Sequence, residues 1–380
     1  MTAPAKALTI AVFLECPVAL LQTSPFVNIV LSAMLLFLIG WFLYLGRPIL
    51  LPIVAAVIAV YLLISASDRL KSLPVLRHLP LVIIRSFLLI VFTLAIVVLA
   101  TVVAATAREI VAVIPVYEAN VDALVDHLAD VFDLDRQELW DELRAVTIDQ
   151  IDLRSAVLRV LSGFTNVGMS IFVIVIYAAF IMLERDGFER KLRAIWADEA
   201  RARATLQTVN EINRKISDYL EVKTLINIIL GAICYAILWF MDVDFALFWA
   251  VAIGFLNYIP YFGSLLGVAF PAVLSVAQFG SLSYSLLLTV LLVIAQFVVG
   301  NIIEPRMVGR HMNISPVIVL ISLSIWTALW GIPGAILAIP LTSMLAIIFA
   351  NISQTRPIAL VLADRIDETD LVSVKPASGR

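Results

Sequence analysis

Long uncharged apolar runs, separated by short polar stretches, set the rhythm of this chain. Phe26 to Leu45 is the first, and the Gly46-Arg47-Pro48 triplet reverses it into a second run, Ile49 to Ser65. Ser86 to Ala105, Phe164 to Leu183, Thr224 to Met241 and Tyr284 to Gly300 follow. Each approaches the ~20 apolar residues that cross a hydrocarbon core, so with two further broken runs the pattern predicts an all-α polytopic membrane protein of about eight spans. Ala7 to Gln22 is also apolar, but Glu15 and Pro17 interrupt it, and residues 1–25 read as an interfacial segment.

The two broken runs are Phe245 to Phe279 and Ile314 to Ala350. The first is interrupted by Asn257-Tyr-Ile-Pro-Tyr-Phe-Gly263, the second by Trp330-Gly-Ile-Pro-Gly334 followed by Pro340. Each reads as a Gly/Pro-broken hairpin in the C-terminal half with arms shorter than a full span. Two arrangements fit: re-entrant hairpins entering from opposite faces, or pairs of complete helices with tight turns. A break frees backbone N–H and C=O groups that lipid cannot satisfy, so breaks at membrane depth usually line a cavity.

The polar stretches supply an orientation. Arg69, Lys71, Arg77 and Arg85 face a single acid, Asp68, across the loop 67–85, which the positive-inside rule makes cytoplasmic together with both termini. Residues 26–106 then hold three spans. Residues 107–162 are acidic and carry a helical stripe (Val121, Leu124, Val125, Leu128), the pattern of extracytoplasmic amphipathic helices. Residues 163–223 add a span and a charged cytoplasmic helix with the apolar seam Leu206, Val209, Ile212, Ile216 and Leu220. Residues 224–352 form the core, and 353–380 a cytoplasmic tail.

Composition narrows the function. Of 380 residues 62% are hydrophobic and only 14% charged, against roughly 25% charged in soluble domains; mean hydropathy is +1.04 and net charge −3. Cys16 and Cys234 lie far apart, and His78, His127 and His311 have no ligand spacing, so no metal or cofactor is expected. Acids balance the bases without interleaved aromatics, which excludes nucleic acid. No Walker A motif occurs, so any transport draws on gradients rather than on ATP hydrolysed by this chain. No catalytic pair sits within the spans, and the chain reads as a non-enzyme.

Asn257, Tyr258 and Tyr261 place amide and phenol groups at the first break, where Pro260, Gly263 and Gly267 allow close backbone approach. Asn301-Ile-Ile-Glu-Pro-Arg-Met-Val-Gly-Arg310 carries the only carboxylate and the only arginines between Phe245 and Asn351. Gln296, Gly300 and Glu304 fall at i, i+4 and i+8 on one helical face, with Asn301 beside them. That face would suit a polar solute or a coupling cation. Equally, Glu304 could be a helix-end residue paired with Arg306 or Arg310, with Pro305 ending the helix and Asn313 and Ser315 capping the next before Pro316.

The run IPYFGSLLG, then NIIEPRMVGRHMNISPVIVLISL, then LWGIPGAILAIPL closely resembles the signature of the AI-2E family, the autoinducer-2 exporter or PerM-like permeases. The resemblance covers roughly Glu221 to Asn351 and implies a multi-pass permease of the bacterial inner membrane, often oligomeric. It assigns structural roles to Pro260, Gly263, Pro305, Gly309, Pro316, Gly331, Gly334 and Pro340, to which the chain itself adds Pro333. Both export of autoinducer-2-like molecules and sodium/proton exchange have been attributed to family members. Three functions follow as expectations: secondary export of a small polar molecule past Asn257, Tyr258, Tyr261, Gln296, Asn301, Glu304 and Arg310; cation/proton antiport at Glu304; or a membrane scaffold without transport. The expected partners are a small-molecule or ion substrate, the lipid bilayer and further copies of the chain.

Overall fold

The computed structural model describes residues 25–132 except 76, then 171–184, 187, 190, 191, 195, 199–308 and 313–364, and every regular element among them is helical. Seven of the described helices are long and apolar enough to cross a membrane, and three apolar helices are shorter. The chain is thus an all-α polytopic membrane protein. It divides into two compact units, Met1–Leu50 and Leu51–Arg380. In the first, α1 (Pro25–Leu45) ends where the Gly46 amide donates to the Phe42 carbonyl at 2.8 Å. Except for Pro25, the expected interfacial segment lies outside the described residues.

The second unit takes in α2 (Arg47–Ser72) from Leu51 onward and then α3 (Leu81–Phe132). Ala56, Val60, Leu63 and Ile64 of α2 pack against Ala178 and Met182 of α4 (Ile171–Glu184), with Leu88, Leu89 and Phe92 of α3 closing the cluster. At 52 residues α3 runs unbroken across the boundary drawn at 106/107, so its span and the start of the acidic segment are one rod. The remainder of that segment, 133–162, lies outside the described residues. The 42-residue α5 (Glu199–Phe240) likewise runs through the boundary at 223/224.

The main core belongs to α5. Ile226, Leu230, Cys234 and Leu238 recur every fourth residue and bury one stripe against Ala250 and Ile253 of α6 (Ala246–Leu256) and Leu288, Leu292 and Ala295 of α8 (Leu282–Val298). Lipid gives helices no hydrophobic reason to associate, so close packing must hold them. Glycine permits it here: a Cβ on Gly254 would stand 2.9 Å from the Asn227 carbonyl oxygen, and one on Gly231 3.2 Å from that of Ala250.

α6 and α7 (Phe262–Phe279) form the first hairpin; α9 (Pro316–Trp330) and α10 (Ile332–Asn351) form the second. Both close in the same way. A Cβ on Gly263 would lie 1.9 Å from the Leu256 carbonyl oxygen, and one on Gly334 2.0 Å from that of Trp326. Gly331, at φ 67°, supplies a backbone reversal between α9 and α10 that glycine tolerates without strain. Trp326 Nε1 then donates to Thr342 Oγ1 at 3.1 Å across the buried face of the pair. Pro316 occupies the first turn of α9, as expected, although Ser315 makes no side-chain cap there. α11 (Arg356–Leu362) folds back so that its Leu362 carbonyl accepts from the Ser315 amide at 3.0 Å.

At the far end of α5, α3 ties down the open ends of both arms of the first hairpin. Tyr117 donates to Asp244 Oδ2 at 2.7 Å, and Asn120 Nδ2 donates to the carbonyls of Ala277 and Gln278 at 3.1 and 2.7 Å. Gln278 in turn accepts from the Asp244 amide at 2.9 Å and donates to the Asp242 carbonyl at 2.8 Å. Burial, reinforced by the Asp244 carboxylate, holds the Tyr117 phenol above the ordinary tyrosine range.

Two outcomes follow. Gly263→Ala and Gly334→Ala should each cost more than the ~1–3 kcal/mol of ordinary overpacking, because backbone rather than a side chain must yield. Melting temperature and gel-filtration homogeneity in detergent should fall for both and stay unchanged for Gly300→Ala, where nothing lies within 4 Å of an added Cβ. A phenol raised in the folded state contributes stability that is complete below its unfolded pKa and is lost as pH climbs beyond about 10. Tyr117→Phe should therefore lower the melting temperature at neutral pH and flatten the alkaline part of the stability curve.

Candidate functional site

The seam of α5 that fills the core does not stay apolar. Continuing from Ile216, the inward positions are Tyr219, Lys223 and Asn227, spaced i, i+4 and i+8 and so stacked about 6 Å apart on one face. All three are buried, Lys223 at 6% exposure and Asn227 at 5%. A charge and an amide held this deep require partners, and other elements provide them.

Lys223 Nζ lies 2.6 Å from Glu304 Oε1, and this ion pair joins α5 to the end of α8. Its geometry depends on a π turn. α8 widens over Val299–Ile303, where the Glu304 amide donates five residues back to the Val299 carbonyl, and the helix continues as Glu304–Val308. Pro305 accounts for the widening, since its ring would clash with the Asn301 carbonyl of a regular α turn. Helix therefore runs through Pro305 rather than ending there. The extra residue also breaks the face expected of Gln296, Gly300 and Glu304: Gly300 is exposed, while Glu304 reaches Lys223. The cation opposite Glu304 is accordingly Lys223, not Arg306, which is exposed. Arg310 and Gly309 lie outside the described residues.

The first hairpin places its tip against the same stretch of α5. Asn257 Nδ2 donates to Asn227 Oδ1 at 2.8 Å. The Thr224 hydroxyl donates to the Leu220 carbonyl at 2.6 Å, so in its 2.6 Å contact with Tyr258 the tyrosine must be the donor. The Tyr219 phenol sits beside Glu304 and Tyr258. Within the tip, the Phe262 amide donates to the Pro260 carbonyl at 2.7 Å with Tyr261 between them at φ 62°, ψ −53°, a strained γ-turn. Strain of this kind persists only where the surroundings impose it. Tyr261 itself is exposed.

Gln296, nearly two turns above Glu304, points its Nε2 at Gly267, where a Cβ would lie 3.2 Å away. Among the described residues neither that nitrogen nor Nδ2 of Asn227 meets good hydrogen-bond geometry, although Asn227 lies beside the Tyr258 phenol. Asn301 is exposed and donates to the Phe297 carbonyl of its own helix at 3.2 Å. Of the residues singled out from sequence, Asn257, Tyr258 and Glu304 therefore converge, Gln296 lies in the same bundle, and Tyr261 and Asn301 do not join them. Among the structural residues, Gly263, Gly267, Gly334 and Pro340 are buried at helix contacts, whereas Pro305 and Pro333 are exposed.

Three further polar links fix α5 to α2. Glu221 takes the Ser65 hydroxyl at 2.5 Å and pairs with Arg69, and Asn213 Oδ1 accepts from Tyr61 at 2.8 Å. Among the described residues no group of three or more His, Cys, Asp or Glu could hold a metal ion. The arrangement is a closed, net-neutral polar layer in an apolar helical core, sealed on one side by a glycine-hinged tip.

Comparison with known proteins accords with that geometry. A family profile described as "AI-2E family transporter" matches residues 31–354. The AI-2 transport protein TqsA of Escherichia coli is 28% identical over 296 residues, 77% of this chain and 85% of that protein. A provisionally named transport protein of Escherichia coli, YhhT, is 26% identical over 277 residues, 73% of this chain and 78% of its own. One of Haemophilus influenzae, also provisionally named a transport protein, is 26% identical over 317 residues, 82% and 90%.

Removing Lys223 should leave the Glu304 carboxylate without its partner. Because Glu304 keeps 29% side-chain exposure, Lys223→Met should cost about 2–3 kcal/mol, at or below the 3–5 kcal/mol of fully enclosed pairs. Adding Glu304→Gln to that variant should restore much of the loss, read as melting temperature in detergent.

Proposed function

The chain belongs to the AI-2E transporter family, and from that membership we propose that it exports small polar molecules, autoinducer-2-like in size and polarity, across the bacterial inner membrane. The observation that carries the reading is the polar layer itself. Lys223, Glu304, Asn227, Asn257 and Tyr258 meet inside an apolar bundle, at the tip of a hairpin whose backbone is strained and whose arms are unequal, 11 and 18 residues. Ionisable groups buried inside a helical membrane bundle are costly and ordinarily mark a solute or ion path. Transport by this reading needs the tip to move, since Lys223 and Asn227 are covered on all sides as the molecule stands.

In the orientation proposed, the basic loop, both termini and the Glu304 end of α8 are cytoplasmic, and the Tyr117–Asp244 clamp lies outside. The driving force is an ion gradient, and the working form is a homo-oligomer in the bilayer. Cation/proton antiport at Glu304 has less support, because its carboxylate already neutralises Lys223. A scaffold without transport would have no use for a polar layer at a strained hairpin tip.

Sealed vesicles containing only the purified chain should release loaded autoinducer-2 or similar small polyols faster than protein-free vesicles. Asn257→Ala and Glu304→Gln should change the rate several-fold. No flux above background for any solute tried would favour the scaffold, and undiminished pH-driven sodium uptake by Glu304→Gln would remove that residue from antiport.

A further inference from the structure

Lys223 and Glu304 are unequal partners. The lysine is set in the buried seam of α5 between Tyr219 and Asn227 and is 7% exposed, whereas the glutamate sits on the short helical turn after the π segment, 29% exposed, followed by exposed Pro305 and Arg306. If the pair opens, the glutamate can turn into water at small cost. The lysine cannot, and a buried ammonium left without a counter-charge is among the most expensive states a protein interior can hold. An open pair is therefore tolerable only when another anion takes the place of Glu304.

The remaining polar groups point the same way. Asn227 Oδ1 is occupied by Asn257, while its Nδ2, beside the Tyr258 phenol, meets no good hydrogen-bond geometry among the described residues, nor does Nε2 of Gln296. The ammonium has three N–H groups, and the bond it makes among the described residues is the one to Glu304. Spare capacity in the layer thus consists mainly of donors. A hard cation needs several oxygen ligands; here it would find one carboxylate, with a positive charge 2.6 Å from it.

We propose that Lys223 anchors an oxyanion of the transported solute, with Asn227 as supporting donor, and that Glu304 is a tethered carboxylate that holds the site between loads and is exchanged for the solute's own anionic group. This rests on the transport reading and gives it a substrate class: small organic molecules bearing a carboxylate- or phosphate-like group. No bond is made or broken; one ion pair replaces another.

The test is thermal melting of the purified full chain in detergent at constant ionic strength. Acetate and inorganic phosphate are titrated against chloride, sodium against potassium, and xylitol serves as the neutral solute. Both oxyanions should stabilise wild type weakly, because Glu304 competes. In Glu304→Gln the half-saturating concentration should fall by about tenfold or more, the ratio that removing a competing tethered charge of modest strength would give. Lys223→Arg should keep the response and Lys223→Gln should lose it. The double variant Lys223→Gln/Glu304→Gln, with no buried unpaired charge, reports the loss even if the single variant does not fold.

An oxyanion response in the double variant equal to that of Glu304→Gln would place binding elsewhere and overturn the proposal. So would no oxyanion response in Glu304→Gln, including failure of acetate or phosphate to rescue its folding, or a sodium-specific shift that disappears in Glu304→Gln. None of these results bears on vesicle flux, so the anion anchor can fail while the exporter reading stands, and absent flux of polyols and small carboxylates alike would sink the exporter while leaving the binding result readable.

Discussion

Hydrocarbon offers no hydrogen-bond partner, and this single constraint orders the structure. Every carbonyl freed by a break in a helix and every charge carried into the bundle has to be met by another part of the same chain. The result is a division of labour along α5. Its upper stripe of Ile226, Leu230, Cys234 and Leu238 is pure packing. Its lower stripe of Tyr219, Lys223 and Asn227 is a row of sockets, filled from the first hairpin and from the turn after α8.

Close approach is what lets those sockets be filled. Gly231 and Gly254 bring α5 and α6 within reach of backbone oxygens, so that Asn257 arrives level with Asn227. Gly263 and Gly334 do the corresponding work inside each hairpin, where the second arm leaves the turn directly against a carbonyl of the first. The two hairpins are separate in sequence yet solve one steric problem in one way. Each also carries a buried proline further along its second arm, Pro271 and Pro340.

Much of this was legible in the residues. Apolar runs set by bilayer thickness announced the spans, and the Gly/Pro clusters announced both hairpins, because those residue types act locally. Asn257, Tyr258 and Glu304 could be singled out as polar groups in apolar surroundings. Lys223 could not be separated from the charged helix before it, although the seam Leu206, Ile216 and Leu220 extends through Lys223 and Asn227 at helical spacing, and following that seam would have found both. The partner of Glu304 is a matter of tertiary structure: residues 81 positions apart meet, which no local spacing reveals. The π turn was hidden for a related reason, since Pro305 signals either an end or a widened turn and the packing of Val299, Ile303 and Met307 on the core decides between them.

The continuity of α5 has a mechanical consequence. Forty-two residues of unbroken helix make a strut of about 63 Å, fastened to α2 near its middle through Glu221 and hydrogen-bonded just past its end, through the Met241 carbonyl, to Tyr284. Such a strut behaves as the stator of the machine. Whatever rearrangement admits a solute has to be made by the shorter pieces leaning on it, and their travel is bounded by how far Asn257 and Glu304 can withdraw before the sockets they leave must be filled by something else.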